Sequence, residues 1–180
     1  MRSLAILVLA AAPATARAAE PPRNAISIQP LAFASDGVAV QYERFMRRRW
    51  SVVAGPAVRF GAGGDYSSFH AGLGAEVRYW ILGEAPLDDW ARPAMVGPFV
   101  AARLDLSWMT LSNDVQNRTI GSLVTLAEGA WLGYRLTAFE HVELSLLLGG
   151  VVRHEIDPAG RLAAYTRPAL GFGLTLGWMF

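Results

Sequence analysis

The stretch that decides the fold is Arg167–Phe180, RPALGFGLTLGWMF. Counting back in twos from the last residue puts Phe180, Trp178, Leu176, Leu174, Phe172 and Leu170 in one register, and Met179, Gly177, Thr175, Gly173, Gly171 and Ala169 in the other. Successive side chains of a strand point to opposite faces, so a two-residue period held this long predicts a β-strand of roughly 10 or more residues. One face is large and apolar without a break; the other is small or polar. An apolar face that runs to an aromatic last residue is built to meet lipid.

The residues Phe172, Leu174, Leu176, Trp178 and Phe180 resemble the closing strand of bacterial outer-membrane β-barrels, in which a C-terminal Phe and the alternating apolar or aromatic positions before it form the assembly signal. The resemblance implies that the barrel-assembly machinery reads this strand. It also implies surroundings of outer-membrane lipid and lipopolysaccharide.

The other end of the chain agrees with export. Met1, Arg2 and Ser3 precede an apolar run from Leu4 to Ala12, followed by the small-residue sites Ala14-Thr15-Ala16 and Ala16-Arg17-Ala18. A charged start, a short apolar core and an A-x-A site describe a secretory signal peptide. We expect residues 1–18 to be removed and 19–180 to form a single barrel domain. A membrane-anchoring helix needs about 20 apolar residues, and Arg17 and Glu20 interrupt sooner. Removing Arg2 and Arg17 lowers the basic count from 16 to 14 against 15 acids, a net charge of −1, which offers nothing to nucleic acid. There is no cysteine, so stability must come from the sheet and its packing. A membrane protein without further helix-length apolar stretches must be a closed barrel.

Along the domain, turn signals recur roughly every 20 residues, as in an all-β, eight-stranded, antiparallel up-and-down transmembrane β-barrel with both termini in the periplasm. The strands are expected at Ala25 to Ala34, Val38 to Phe45, from Trp50, at Phe69 to Ile81, Phe99 to Met109, within Ile120 to Leu136, at Val142 to Arg153, and the closing strand. Ser35-Asp36-Gly37 is a hairpin signal, Pro56 predicts a bulge or kink in the third strand, and glycine-rich Gly61 to Ser67 reads as a loop. The stretch from Leu82 to Gly97 is irregular and unusually long for a periplasmic turn; we expect it to cap the barrel mouth. In the sixth strand Glu128 shares a register with Leu126, Leu132 and Tyr134. Either a bulge shifts that register, or Glu128 faces inward among large residues.

The inward registers collect Glu43, Arg59, Glu76, Arg78, Arg103, Asp105, Glu143 and Arg153. An eight-stranded barrel is just wide enough to be filled by side chains, and buried charges must pair or be costly. These eight residues are therefore expected to form a salt-bridge network in place of an apolar core. Trp50, Tyr79, Trp80, Phe99, Trp108 and Trp178 lie near strand ends and suggest interfacial girdles.

No catalytic, cofactor or metal site is expected. His70, His141 and His154 have no serine two residues away on an outward face, as a lipid-modifying hydrolase of this wall type would need, although Ser68 precedes His70 on the inward register. His154, Glu155 and Asp157 are the one grouping with metal-ligand chemistry. Over the whole domain the chain resembles small outer-membrane proteins of the OmpA and OmpX type. The resemblance implies a non-enzymatic integral outer-membrane protein with a structural or envelope-interaction role. The alternatives are a narrow charge-lined pore, a lipid A hydrolase, and a soluble periplasmic ligand-binding barrel with its apolar register turned inward.

Overall fold

The computed structural model describes residues 23–33, 36–47, 49–82, 96–139, 141–159 and 165–180. The expected signal peptide, residues 1–18, and residues 83–95, the bulk of the expected cap, lie outside them. Eight strands follow one another: β1 Asn24–Ile28, β2 Gly37–Arg47, β3 Trp50–Gly63, β4 Tyr66–Trp80, β5 Gly97–Asn113, β6 Arg118–Ala138, β7 Val142–Ile156 and β8 Tyr165–Met179. Each pairs antiparallel with the next, and β1 pairs with β8, so the sheet closes into an up-and-down barrel with no free edge. The seam is joined in register, Ile26 opposite Trp178 and Ile28 opposite Leu176. Asn24 and Phe180 exchange backbone hydrogen bonds of 3.0 and 2.8 Å beyond the last ladder pair.

The period of two decides which side chains fill the barrel. On β8 the even residues Leu170, Phe172, Leu176 and Trp178 are exposed, while Thr175 and Met179 are buried. The inward glycines of this strand are sockets. A Cβ at Gly171 would collide with the Trp131 ring, one at Gly173 would press on Leu147, and one at Gly177 would come 2.6 Å from Glu143 Oε1. Gly149 meets the same indole from β7, and Gly133 lies under the ring of Phe99. The small register is small because the inward side chains of the neighbouring strands β6 and β7 are large.

The departures from expectation have local causes. β1 is five residues long, where ten were expected, because Pro30 has no N–H for the ladder and its fixed φ suits the first turn of a helix. The chain instead makes one helical turn, α1 Pro30–Phe33, closed by Ala32 N–H donating to Gln29 C=O at 3.0 Å. Gly61 to Ser67 is no loop: β3 and β4 pair through it to Gly63 and Tyr66, with only Gly64 and Asp65 at the tip, Gly64 in the left-handed region at φ 59°. Pro56 leaves the β2–β3 ladder unbridged between the pairs Ala39–Ala57 and Tyr42–Ala54 without shifting it. The register shifts lie elsewhere, at Phe45/Arg47 and Leu111/Ser112. Of the expected long turn, Leu82 and Gly97 belong to the described ends, which Ile81 N–H joins to Pro98 C=O at 3.0 Å.

Both alternatives for the sixth strand fail. No register shift separates Leu126, Glu128, Leu132 and Tyr134, and all four side chains stand on the outside. The inward residues of β6 are Ala127, Gly129, Trp131, Gly133 and Arg135.

The sockets are testable by adding one methyl group. Gly133→Ala should lower the unfolding free energy by about 1–3 kcal/mol through overpacking against Phe99, read from the urea midpoint. Gly150→Ala, whose outward Cβ meets nothing within 4 Å, should shift it by less than about 0.5 kcal/mol.

Candidate functional site

The barrel interior near the chain ends is filled by charge. Glu43 on β2 is the centre: its Oε1 accepts from Ser51 Oγ at 2.5 Å, and its Oε2 receives Arg78 Nη1 at 2.7 Å and also Arg135 Nη2. Arg78 donates its Nε to Glu76 Oε1 at 2.5 Å. Arg135 Nε lies 2.6 Å from Glu143 Oε2 and donates to Ser145 Oγ at 3.0 Å. Three strands distant in sequence thus meet on one carboxylate, since β2, β4 and β6 all turn a charged inward residue to the same level.

An aromatic ring lies over each of the two central cations. The Arg78 guanidinium sits 4.8 Å from the centroid of Phe99, and that of Arg135 5.0 Å from Trp80. Trp80 and Phe99 pack with centroids 4.8 Å apart, and the Trp80 indole N–H donates to Ser51 Oγ at 2.9 Å. Phe45, Ala101 and Leu147 complete this apolar layer, with Trp131 against it. A guanidinium bonds at its edge and stacks on its faces, so each arginine meets carboxylates and rings at once. Arg78, Trp80 and Phe99 are 1% exposed, and Arg135, Glu143 and Met179 are 0% exposed, so this level is solid.

Farther from the chain ends the interior loosens. Arg103 grips Asp105 with Nε and Nη2 at 2.7–2.9 Å, and its Nη1 lies 3.8 Å from Glu76 Oε2, the last link to the central network. Inward positions there are small, with Gly55, Ala57, Gly72 and Gly74 beside Gln41 and Ser107. They line a partly open cavity of about 120 Å³. A Cβ at Gly74 would collide with Asp105, so this glycine too seats an ion pair.

Of the eight charges read from the sequence, Glu43, Glu76, Arg78 and Glu143 are brought together, and Arg103 and Asp105 join through the weaker link. Arg59 and Arg153 do not take part. Both lie toward the far mouth, are exposed, and form no ion pair among the described residues; Arg153 stands beside Arg167, which pairs with Glu155 at 3.0 Å. The residue that the sequence reading missed is Arg135. Its signal was the run Gly129, Trp131, Gly133, Arg135 alternating with Ala130, Leu132, Tyr134, Leu136, obscured by Glu128 in the apolar register.

Trp80 and Phe99 are inside, a correction to their place in an outer girdle: Trp80 shares the parity of Arg78 and Glu76, and Phe99 that of Arg103. Outside, Tyr42, Trp50, Tyr79, Tyr134 and Trp178 ring the barrel near the chain ends, with Trp50 and Tyr79 edge to face at 4.9 Å. Phe60, Phe69 and Trp108 stand toward the far mouth. His154 and Glu155 point to opposite faces, so they do not converge with Asp157, and no metal-holding cluster occurs among the described residues.

Comparison with protein-family models, with curated proteins and with solved structures finds no match to this chain.

Removing Arg135 should expose how the plug is held. Arg135→Met leaves Glu43 and Glu143 short of a cation and should cost about 3–5 kcal/mol. Adding Glu143→Met should recover part of that loss, giving a coupling energy outside the range of independent sites in a double-mutant cycle read by urea unfolding.

Proposed function

We propose that the protein is an integral outer-membrane β-barrel, non-enzymatic, with a structural or envelope-interaction role, similar in build to the OmpA and OmpX type. The observation that carries this reading is the exterior. Every strand turns exposed apolar side chains outward: Ile26, Val40, Val52, Leu73, Leu104, Leu132, Leu148 and Phe172, one from each strand in order. A soluble monomer rarely exposes a contiguous apolar patch above roughly 300–600 Å², and a belt around a whole barrel exceeds that. Polar groups inside and apolar groups outside are the arrangement that lipid favours.

Dimensions support the same reading. Seven of the strands run from 11 to 21 residues, and a tilted strand needs about 9–11 to cross a bilayer. Aromatics at two levels with aliphatic residues between them have the layout of interfacial girdles. The export signal and closing-strand pattern add the outer membrane as the destination and the assembly machinery as the partner.

The packed level around Glu43 favours a closed barrel over the narrow pore. The inward-facing charges likewise favour a lipid-facing wall over a soluble ligand barrel, whose apolar register would line the cavity. In fractionated envelopes the protein should therefore appear with the outer membrane and change gel mobility on boiling, and in planar bilayers it should give no stepwise conductance. A soluble product with heat-independent mobility would reject the membrane reading. Steady single-channel steps would reject the plug.

A further inference from the structure

One carboxylate stands on the apolar wall. Glu128 is outward on β6, its side chain 63% exposed, with Leu104 opposite it on β5 and Val152 opposite it on β7. One row farther from the chain ends, His154 on β7 places Nε2 3.7 Å from Glu128 Oε1, and its Nδ1 lies 3.1 Å from Thr166 Oγ1 on β8. Three neighbouring strands thus place a hydroxyl, an imidazole and a carboxylate side by side, the first two within hydrogen-bond distance of each other. Glu128 Oε2 has no protein partner among the described residues. In water this would be unremarkable. Against lipid, an ionisable group is costly and marks a functional position whose partner should be sought.

A shallow trough lies beside it. One row toward the chain ends, Ala102, Ala130 and Gly150 are in register across β5, β6 and β7, and a Cβ on Gly150 would meet open space. Leu170, 91% exposed, forms the wall of the trough on β8. The trough is one row deep and lies on the belt side of Glu128, bounded by the exposed Leu132 and Leu148 of the next row, which leaves room beside the carboxylate for the first carbons of an acyl chain. Glu128 then sits where that chain joins its headgroup.

We propose that this face of β6, β7 and β8 binds an acyl lipid carrying a hydrogen-bond donor, an amide N–H or a hydroxyl, at the head of its chain. The carboxylate accepts from that donor, His154 flanks the carboxylate, and the trough seats the start of the chain. The site rests on the membrane reading above. The order hydroxyl, imidazole, carboxylate has the outline of a nucleophile with its base. Stabilising an oxyanion, however, takes free donors, and the strands around these residues are paired on both sides. Binding is what the groups can do.

The test uses the full chain folded into vesicles of equal parts diacylphosphatidylcholine and sphingomyelin, which share a headgroup while only the second has an amide N–H and a hydroxyl beside its chains. Lipids retained after mild detergent extraction are counted by native mass spectrometry. Wild type should be enriched in sphingomyelin by about threefold or more, and Glu128→Leu, which completes the apolar wall, should insert as well and show no preference. Glu128→Gln, still an acceptor, should keep part of the enrichment. Insertion without enrichment, or equal enrichment in Glu128→Leu, overturns the site alone; protein that stays outside the vesicles overturns the membrane reading and the site with it. Retained lipid lighter by one acyl chain would overturn binding in favour of hydrolysis at Thr166.

Discussion

The ion pairs of Arg78 and Arg135 with Glu43 are the interaction on which the rest of the molecule depends. A barrel of eight strands has an interior that side chains must fill, and this chain fills it with charges that no dry interior tolerates singly. The buried charges near the chain ends are therefore tied to partners on other strands. Glu43 on β2 is answered from β4 and β6, and Glu143 on β7 from β6. The pairing carries register information: a slip of one residue on any of these strands would turn its charge to the outside and an aliphatic residue to the inside. Non-local ladders alone would not specify that choice as sharply.

Shape follows from the same constraint. Large side chains inside a narrow barrel need room, and the room comes from glycine on neighbouring strands. Gly171 and Gly149 take the Trp131 ring, Gly133 takes Phe99, and Gly177 takes Glu143. The closing strand is thus selected twice. Its outward register carries the apolar pattern, and its inward register is hollowed to fit β6 and β7. Toward the far mouth the large side chains give out, and the small inward residues there leave the cavity beside Arg103 and Asp105.

The strand order, the antiparallel closure and most of the inward charges were legible because a period of two is a strong local signal. What was not legible depended on contacts between strands. Arg135 went unread because Glu128 spoiled the apolar register of β6, and only the ladders to β5 and β7 show that register to be continuous. Trp80 and Phe99 lie near strand ends, which suggests a girdle, but their parity turns them inward. The glycines of Gly61 to Ser67 suggested a loop, yet pairing with a long partner strand overrides weak intrinsic preference. Pro30 was the reverse case, a local rule that should have ended the first strand early. Nothing in the linear sequence joins Glu128 to His154 and Thr166, which lie on three strands.

In the membrane-embedded barrel proposed above, the even residues of the closing strand face lipid while the odd ones face a charged, packed interior. The chain has no cysteine, so single cysteines can be introduced and spin-labelled from 169 to 177 in vesicle-reconstituted protein. Oxygen accessibility should be high at 170, 172, 174 and 176 and low at 169, 171, 173, 175 and 177, with a water-soluble nickel reagent excluded from both sets. Even positions open to the nickel reagent, or accessibility without a two-residue period, would contradict it.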